Sequence, residues 1–127
     1  MIDVSGVWKI FGDNAKTALS AIQNEGLGKS EVLDKYDAVF GVADVSFIII
    51  RWELFCIMGL SGSGKSSLVR HFYRLLEPTA GSISIEGTDV MGLDTGALRK
   101  FRNQKIGMVF QNFALLPHRS VLDNVAM

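Results

Sequence analysis

Eight consecutive residues, Gly59-Leu60-Ser61-Gly62-Ser63-Gly64-Lys65-Ser66, leave this chain few choices of fold. They fit the pattern G-x-x-x-x-G-K-[ST] at every constrained position, and each residue type meets one need of a bound polyphosphate. Glycines let backbone N–H groups close around an anion where a Cβ would intrude. Lys65 carries a charge on a stem long enough to reach β- and γ-phosphate oxygens, and the Ser66 hydroxyl is a hard oxygen donor suited to Mg²⁺. Such a loop belongs between a buried strand and a helix, whose N-terminus then faces the anion. Both neighbours are predicted. Glu53 to Met58 is an apolar run of strand length, and Leu68, Phe72 and Leu76 recur at helical spacing until Glu77-Pro78 stops the pattern. A chance Gly/Ser turn would have to reproduce all three features. Gly28-Lys29-Ser30 shows the contrast: Gln23 stands where the first glycine is needed and no apolar strand precedes it, so it reads as a loop and helix start.

The bulk numbers exclude several classes. At 127 residues, with 48% hydrophobic and 20% charged residues, the chain can bury a modest core and is not of disordered composition. Thirteen basic and thirteen acidic residues cancel, leaving no overall field to recruit nucleic acid or anionic lipid. The apolar stretches at 45–50 and 54–60 are far too short to span a bilayer. Met1-Ile2-Asp3-Val4 lacks the pattern of a secretory leader, and the lone Cys56 suits a reducing compartment, as a small apolar residue in the strand before the loop.

Along the chain, Val4 to Phe11 predicts a first strand with Trp8 and Ile10 inward. Ala15, Ala18, Leu19 and Ile22 predict a helix ended by Glu25-Gly26, and Ser30 a cap for a second short helix through Tyr36. Val45–Ile50 and Leu54–Met58 read as two strands joined near Arg51-Trp52. Ser82 to Glu86 alternates as a strand before a turn at Gly87-Thr88-Asp89. Asp94 caps a helix containing Leu98 and Phe101, Lys105 to Phe110 reads as another strand, and Ser120 opens a helical segment running to Met127. That unpunctuated end, together with the scarcity of strands after Lys65, predicts the N-terminal piece of a longer protein.

Taken in order, these residues resemble the ATP-binding subunit of ABC transporters, and most narrowly that of glycine betaine/proline (osmoprotectant) importers. The likeness rests on Ile10-Phe11-Gly12-Asp13-Asn14, on Ile57-Met58 leading into the loop, and on Leu68-Val69-Arg70-His71 followed by Arg74-Leu75-Leu76-Glu77-Pro78-Thr79. Met108-Val109-Phe110-Gln111 and Pro117-His118-Arg119 complete it. It covers nearly the whole chain, including a helical insert at about 13–37. The resemblance implies an α/β P-loop NTPase fold, incomplete at residues 1–127, with an N-terminal antiparallel β portion and the start of a parallel core.

It further implies ATP and Mg²⁺ as ligands. Gly59, Ser61, Gly62, Ser63, Gly64, Lys65, Ser66 and Ser67 would hold the phosphates, with Ser66 on Mg²⁺ and Ser67 near the α-phosphate. Gln111 matches the glutamine that senses the γ-phosphate through Mg²⁺ or the attacking water, so Lys65 and Gln111 are the catalytic candidates. Phe11, in a Lys-x-Phe-Gly setting, is preferred over Tyr36 as the aromatic that stacks on adenine. Implied partners are a transmembrane permease subunit, contacted by residues 112–125, a second ATP-binding subunit head to tail, and indirectly a solute-binding protein. The implied place is the cytoplasmic face of the membrane, peripherally.

Departures temper the match. Trp52 stands where the family has a turn glycine, and Ser67 replaces the commoner Thr. The signature motif, the second Mg²⁺ aspartate, the catalytic glutamate and the switch histidine have no counterpart, so the isolated chain is expected to be inactive. His71 and His118 read as surface or interface residues, and Arg99, Lys100, Arg102 and Lys105 as a solvated helix face rather than a nucleic-acid site. A P-loop kinase-like phosphotransferase and a truncated non-catalytic nucleotide-binding remnant stay open.

Overall fold

The computed structural model describes residues 1–26, 28–109 and 115–126. Four strands form one antiparallel sheet in the order β2-β1-β3-β4: β1 (Ile2–Phe11), β2 (Val39–Ile49), β3 (Ala80–Ile85) and the two-residue β4 (Thr88–Asp89). The helices are α1 (Ala15–Glu25), α2 (Lys29–Tyr36), α3 (Lys65–Phe72), α4 (Thr95–Lys105) and α5 (Val121–Val125). No helix among the described residues is long and apolar enough to cross a membrane.

β1 is longer than its sequence suggests, and its buried residues Val4, Val7 and Ile10 are spaced by three rather than two. A regular strand alternates faces with period two, so a period of three requires irregularities. The pairing of β1 with β2 shifts register between Val4 and Val7, between Val7 and Lys9, and between Lys9 and Ile10. At the first shift the Gly6 N–H donates to the Ser46 hydroxyl at 2.8 Å, which satisfies a donor that the ladder would otherwise satisfy. Trp8 is only half-buried.

Two clusters fill the interior. Val4, Val7, Val42, Leu68, Ile83, Ile85, Val90, Leu98 and Phe101 join the sheet to α3 and α4. Ile10, Ala18, Leu19 and Ala38 join it to the insert helix α1. The predicted cap of α4 is present, since the Asp94 carboxylate accepts from the Ala97 N–H at 2.8 Å. Ser120 likewise accepts from the Asp123 N–H at the start of α5. Ser30 is no cap: it lies inside α2, and the Glu31 carboxylate instead accepts from the Gly28 N–H at 2.7 Å.

Two predicted strands are absent. Leu54–Met58 is irregular, with Leu54 and Met58 about nine-tenths exposed, because no segment among the described residues offers it a ladder. Cys56 is accordingly exposed rather than buried in a strand. Residues 106–109 are also irregular; Phe110 lies outside the described residues. No parallel pairing joins the strands described, so the parallel core expected after the loop is not seen among them. The turn between Ile50 and Glu53 holds Trp52 at φ +68°, in the left-handed region that costs an L-residue about 1–2 kcal/mol. The family's turn glycine would adopt that backbone freely. Trp52 is almost fully exposed, with the Arg51 guanidinium 5.4 Å from its ring.

Candidate functional site

The loop at 59–64 leaves β2's neighbourhood and enters α3 through Gly64, which occupies the N-cap position at φ +90°. Having no side chain, Gly64 cannot cap the first-turn N–H groups, and these remain available to an anion. A Cβ at Gly64 would overlap the carbonyl oxygen of Gly41 in β2, and one at Gly59 would lie 2.7 Å from the Ser63 hydroxyl oxygen. Loop and strand therefore approach to a distance only glycine permits, which is the cradle the motif predicts.

Lys65 is placed differently from the expectation. Its ammonium folds back on the loop, donating to the carbonyl oxygens of Gly59 at 2.6 Å and Leu60 at 2.5 Å and to the Ser63 hydroxyl at 3.1 Å. All three ammonium donors are thus engaged by the loop itself, and a phosphate must exchange with them. Ser66 is exposed at the first turn of α3 and Ser67 is half-buried beside it. A single hard hydroxyl suits Mg²⁺, which takes one or two protein oxygens and completes its shell with phosphate and water. Among the described residues no group of three His, Cys, Asp or Glu side chains is placed to hold a metal unaided. Gln111 lies outside the described residues.

Phe11 and the loop line one cavity of about 420 Å³, together with Val39, Phe40, Gly41 and Ser61 to Ser67. The Phe11 ring is two-fifths exposed and Lys9 Nζ stands 5.2 Å from its centroid, anchored in turn to the Glu77 carbonyl at 2.8 Å. Tyr36 is absent from that lining; it packs against Ile10, Ala18, Leu19 and Ala38, with Lys35 Nζ 5.5 Å from its ring. Of the two aromatic candidates only Phe11 is brought to the loop. A second, more apolar hollow of about 650 Å³ shares Phe40, Gly41 and Gly62 to Lys65 with it and extends to Phe47, Phe55, Cys56 and Met58.

His71 overturns its surface reading, since its side chain is fully buried on α3, whereas His118 is exposed. His71 Nδ1 lies 2.6 Å from the Ser67 carbonyl oxygen, which can only accept, so Nδ1 carries the proton and Nε2 is a bare nitrogen with no partner among the described residues. Burial, and secondarily the charge of Lys9, hold the imidazole below its ordinary value, against the raising effect of the Ser67 carbonyl. The sign follows. Below about pH 6.5 the unfolded chain takes up a proton that the folded chain resists, so stability present above that pH is lost as pH falls through the folded value. The midpoint of urea unfolding is expected to drop between pH 7 and pH 5, and to drop less in His71→Leu. Equal slopes in the two proteins would exclude His71 as the titrating group.

The basic residues of α4 divide. Arg102 donates to the carbonyl oxygens of Tyr73 at 2.8 Å and Arg74 at 3.2 Å, closing the C-terminal end of α3, and Lys105 pairs with Glu86 at 2.6 Å. That pair holds the Glu86 carboxyl below the usual range. The Tyr73 hydroxyl donates to the Gly107 carbonyl, tying the loop's helix to the segment that leads toward Gln111, and burial raises its pKa. Arg99, Lys100 and Lys105 are exposed, as the sequence suggested for this face, and Arg102 is the one of the four that turns partly inward.

A glycine-lined loop, a lysine at its end, a helix N-terminus and an antiparallel sheet beside them define a P-loop NTPase of the ABC cassette type. The family model described as ABC transporter matches residues 42–127, and the chain belongs to that family. It is 46% identical over 98% of its length to the glycine betaine/proline betaine transport system ATP-binding protein ProV of Escherichia coli (strain K12), of which it covers 31%. It is 48% identical to the glycine betaine transport ATP-binding protein OpuAA of Bacillus subtilis (strain 168), with 97% of this chain and 29% of that protein covered. Against the trimethylamine N-oxide transport system ATP-binding protein TmoW of Ruegeria pomeroyi it is 49% identical, covering 99% and 36% respectively. The chain thus spans about a third of the length of the curated relatives it matches. A dimeric ATP-binding cassette solved in a post-hydrolysis state with ADP and Pi superposes with a TM-score of 0.74 at 30% identity, over 98% of this chain and 45% of that one.

One contributor escaped the sequence reading, and a second entered it only as a neighbour of Phe11. Gly41 sits within the apolar run Phe40-Gly41-Val42, and a glycine inside a strand is a known mark of a bulge or a close backbone approach. Lys9 had its signal in the Lys-x-Phe spacing, which puts both residues on one face of β1.

Proposed function

We propose that this chain is the nucleotide-binding part of an ABC importer's ATP-binding subunit, coupling ATP binding and hydrolysis to uptake of a compatible solute such as glycine betaine, proline or choline. The observation that carries the nucleotide reading is the shared cavity: one aromatic face and one phosphate cradle open into the same 420 Å³ space. In it, Phe11 stacks on adenine, the amides of Ser61 to Ser66 and the Lys65 ammonium hold the phosphates, and Ser67 lies near the α-phosphate. Ser66 and Gln111 would hold Mg²⁺, which when bound would neutralise phosphate charge. Gln111 orients the water that attacks the γ-phosphate, a task for a neutral amide that both donates and accepts.

The solute class is supported by the relatives ProV and OpuAA, ATP-binding proteins of glycine betaine/proline betaine and glycine betaine transport. The proposed assembly pairs this subunit head to tail with a second copy, on the cytoplasmic face of the membrane. There it meets a transmembrane permease subunit through residues 112–125 and serves a solute-binding protein indirectly.

The aromatic assignment has a clean test. Phe11→Ala is expected to weaken ATP binding about five- to a hundredfold and leave tripolyphosphate binding unchanged, since base stacking is worth about 1–3 kcal/mol and only ATP has a base. Tyr36→Ala is expected to change stability instead, because its ring packs in the core of the insert. Titration of both ligands against both variants decides it; equal losses for ATP and tripolyphosphate in Phe11→Ala would remove the base from that ring.

A further inference from the structure

β1 and β2 pair Lys9 with Val42 and Ile10 with Phe40, so one residue of β2, Gly41, has no opposite number. It is the extra residue of a bulge, a device that re-aims chain and side chains beside sites. Two contacts converge on it. A Cβ built at Gly41 would overlap Cε2 of the Phe11 ring and lie 3.2 Å from its Cδ2, so the ring rests directly on the Gly41 backbone. On the loop side, the Gly41 carbonyl oxygen is the atom that a Cβ at Gly64 would strike. One residue thus touches both ends of the cavity, the aromatic and the phosphate cradle.

We infer that Gly41 is a positioning residue for nucleotide: by seating the Phe11 ring against β2 beside the loop, it fixes where the base lies relative to the phosphates. The inference rests on Phe11 being the base platform. Its physical content is selective. Gly41 has no positive φ to protect, as its absence from the left-handed residues shows, so an alanine there meets the ring rather than a strained backbone. Its nearest other neighbour is the Lys9 carbonyl oxygen at 3.3 Å, which a small shift relieves. The ring must therefore swing away, and Lys9, fastened to the Glu77 carbonyl, cannot follow it. The carbonyl that meets Gly64 is kept in the variant, so the phosphate cradle is retained.

The test is a double-mutant cycle on the full chain, reading the ratio of ATP to tripolyphosphate affinity with melting curves alongside. Phe11→Ala and Gly41→Ala are each expected to lower that ratio about five- to a hundredfold, and the double variant no further than Phe11→Ala alone. If Phe11→Ala leaves the ratio unchanged, the platform reading fails and this inference falls with it. If Phe11→Ala lowers it and Gly41→Ala does not, or if the two losses multiply, the platform stands and the role of Gly41 is overturned. Should Gly41→Ala not fold, restoration of folding by adding Phe11→Ala supports the seat. Failure of the double variant to fold shows that something other than the ring excludes the side chain, and overturns it.

Discussion

Lys65→Ala is expected to lower ATP affinity about ten- to a hundredfold in a chain that stays folded. A charge-assisted hydrogen bond contributes roughly 1.5–3 kcal/mol, which sets that range. The structure refines the expectation, because the free ammonium already donates to Gly59, Leu60 and Ser63. Binding exchanges those oxygens for phosphate oxygens, so what the variant loses is a difference between two hydrogen-bonded states plus the full charge. The charge dominates for a polyphosphate, and the loss should shrink with added salt as exposed charges are screened. The fold is spared because the three bonds lie within the exposed loop, while α3 is held by Leu68 in the core and by its own turns. Fluorescent-nucleotide titration with circular dichroism checks both halves. Unchanged affinity in a folded variant would sink the assignment of the loop; a lost fold would show that the folded-back lysine is structural.

What could be read from the sequence is what backbone geometry demands of a residue type. The loop, the cap at Asp94 and the helix end at Gly26 were legible because few residues satisfy each local requirement. The neighbouring Lys and Gly favour Phe11 over Tyr36, and of these two the fold brings Phe11 to the loop. Features set by distant partners were not legible. The run Leu54–Met58 has strand composition, yet a strand exists only through a ladder that other segments supply. The burial of Val4, Val7 and Ile10 at intervals of three follows from register shifts against β2, which period-two reading cannot anticipate. His71 looks like any polar helix residue until the Ser67 carbonyl four residues earlier satisfies one nitrogen and allows the ring inside. Gly41 needed both a bulge and a ring from another strand to acquire its meaning.

Gly64→Ala should abolish binding of ATP and tripolyphosphate alike, by about a hundredfold or more, with only a modest fall in melting temperature. Two costs coincide at this position. The φ of +90° is strained for any residue with a Cβ, and the added methyl would overlap the Gly41 carbonyl oxygen. That oxygen belongs to the backbone of β2, where the flanking residues Phe40 and Val42 pair with Ile10 and Lys9, so it cannot swing aside as a side chain would. Something else must yield, and the weaker partner is the loop, which is exposed and held mainly by its own hydrogen bonds. Displacement carries the N–H groups at the start of α3 and the Lys65 ammonium away from the phosphate position together, so the loss exceeds that of Lys65→Ala. It also differs in kind from Gly41→Ala, which discriminates between ligands with and without a base. Calorimetric titration of both ligands, beside a melting curve, separates the cases. A folded Gly64→Ala chain that binds tripolyphosphate as the parent does would mean that the approach of loop to strand at Gly41 has no part in holding phosphate.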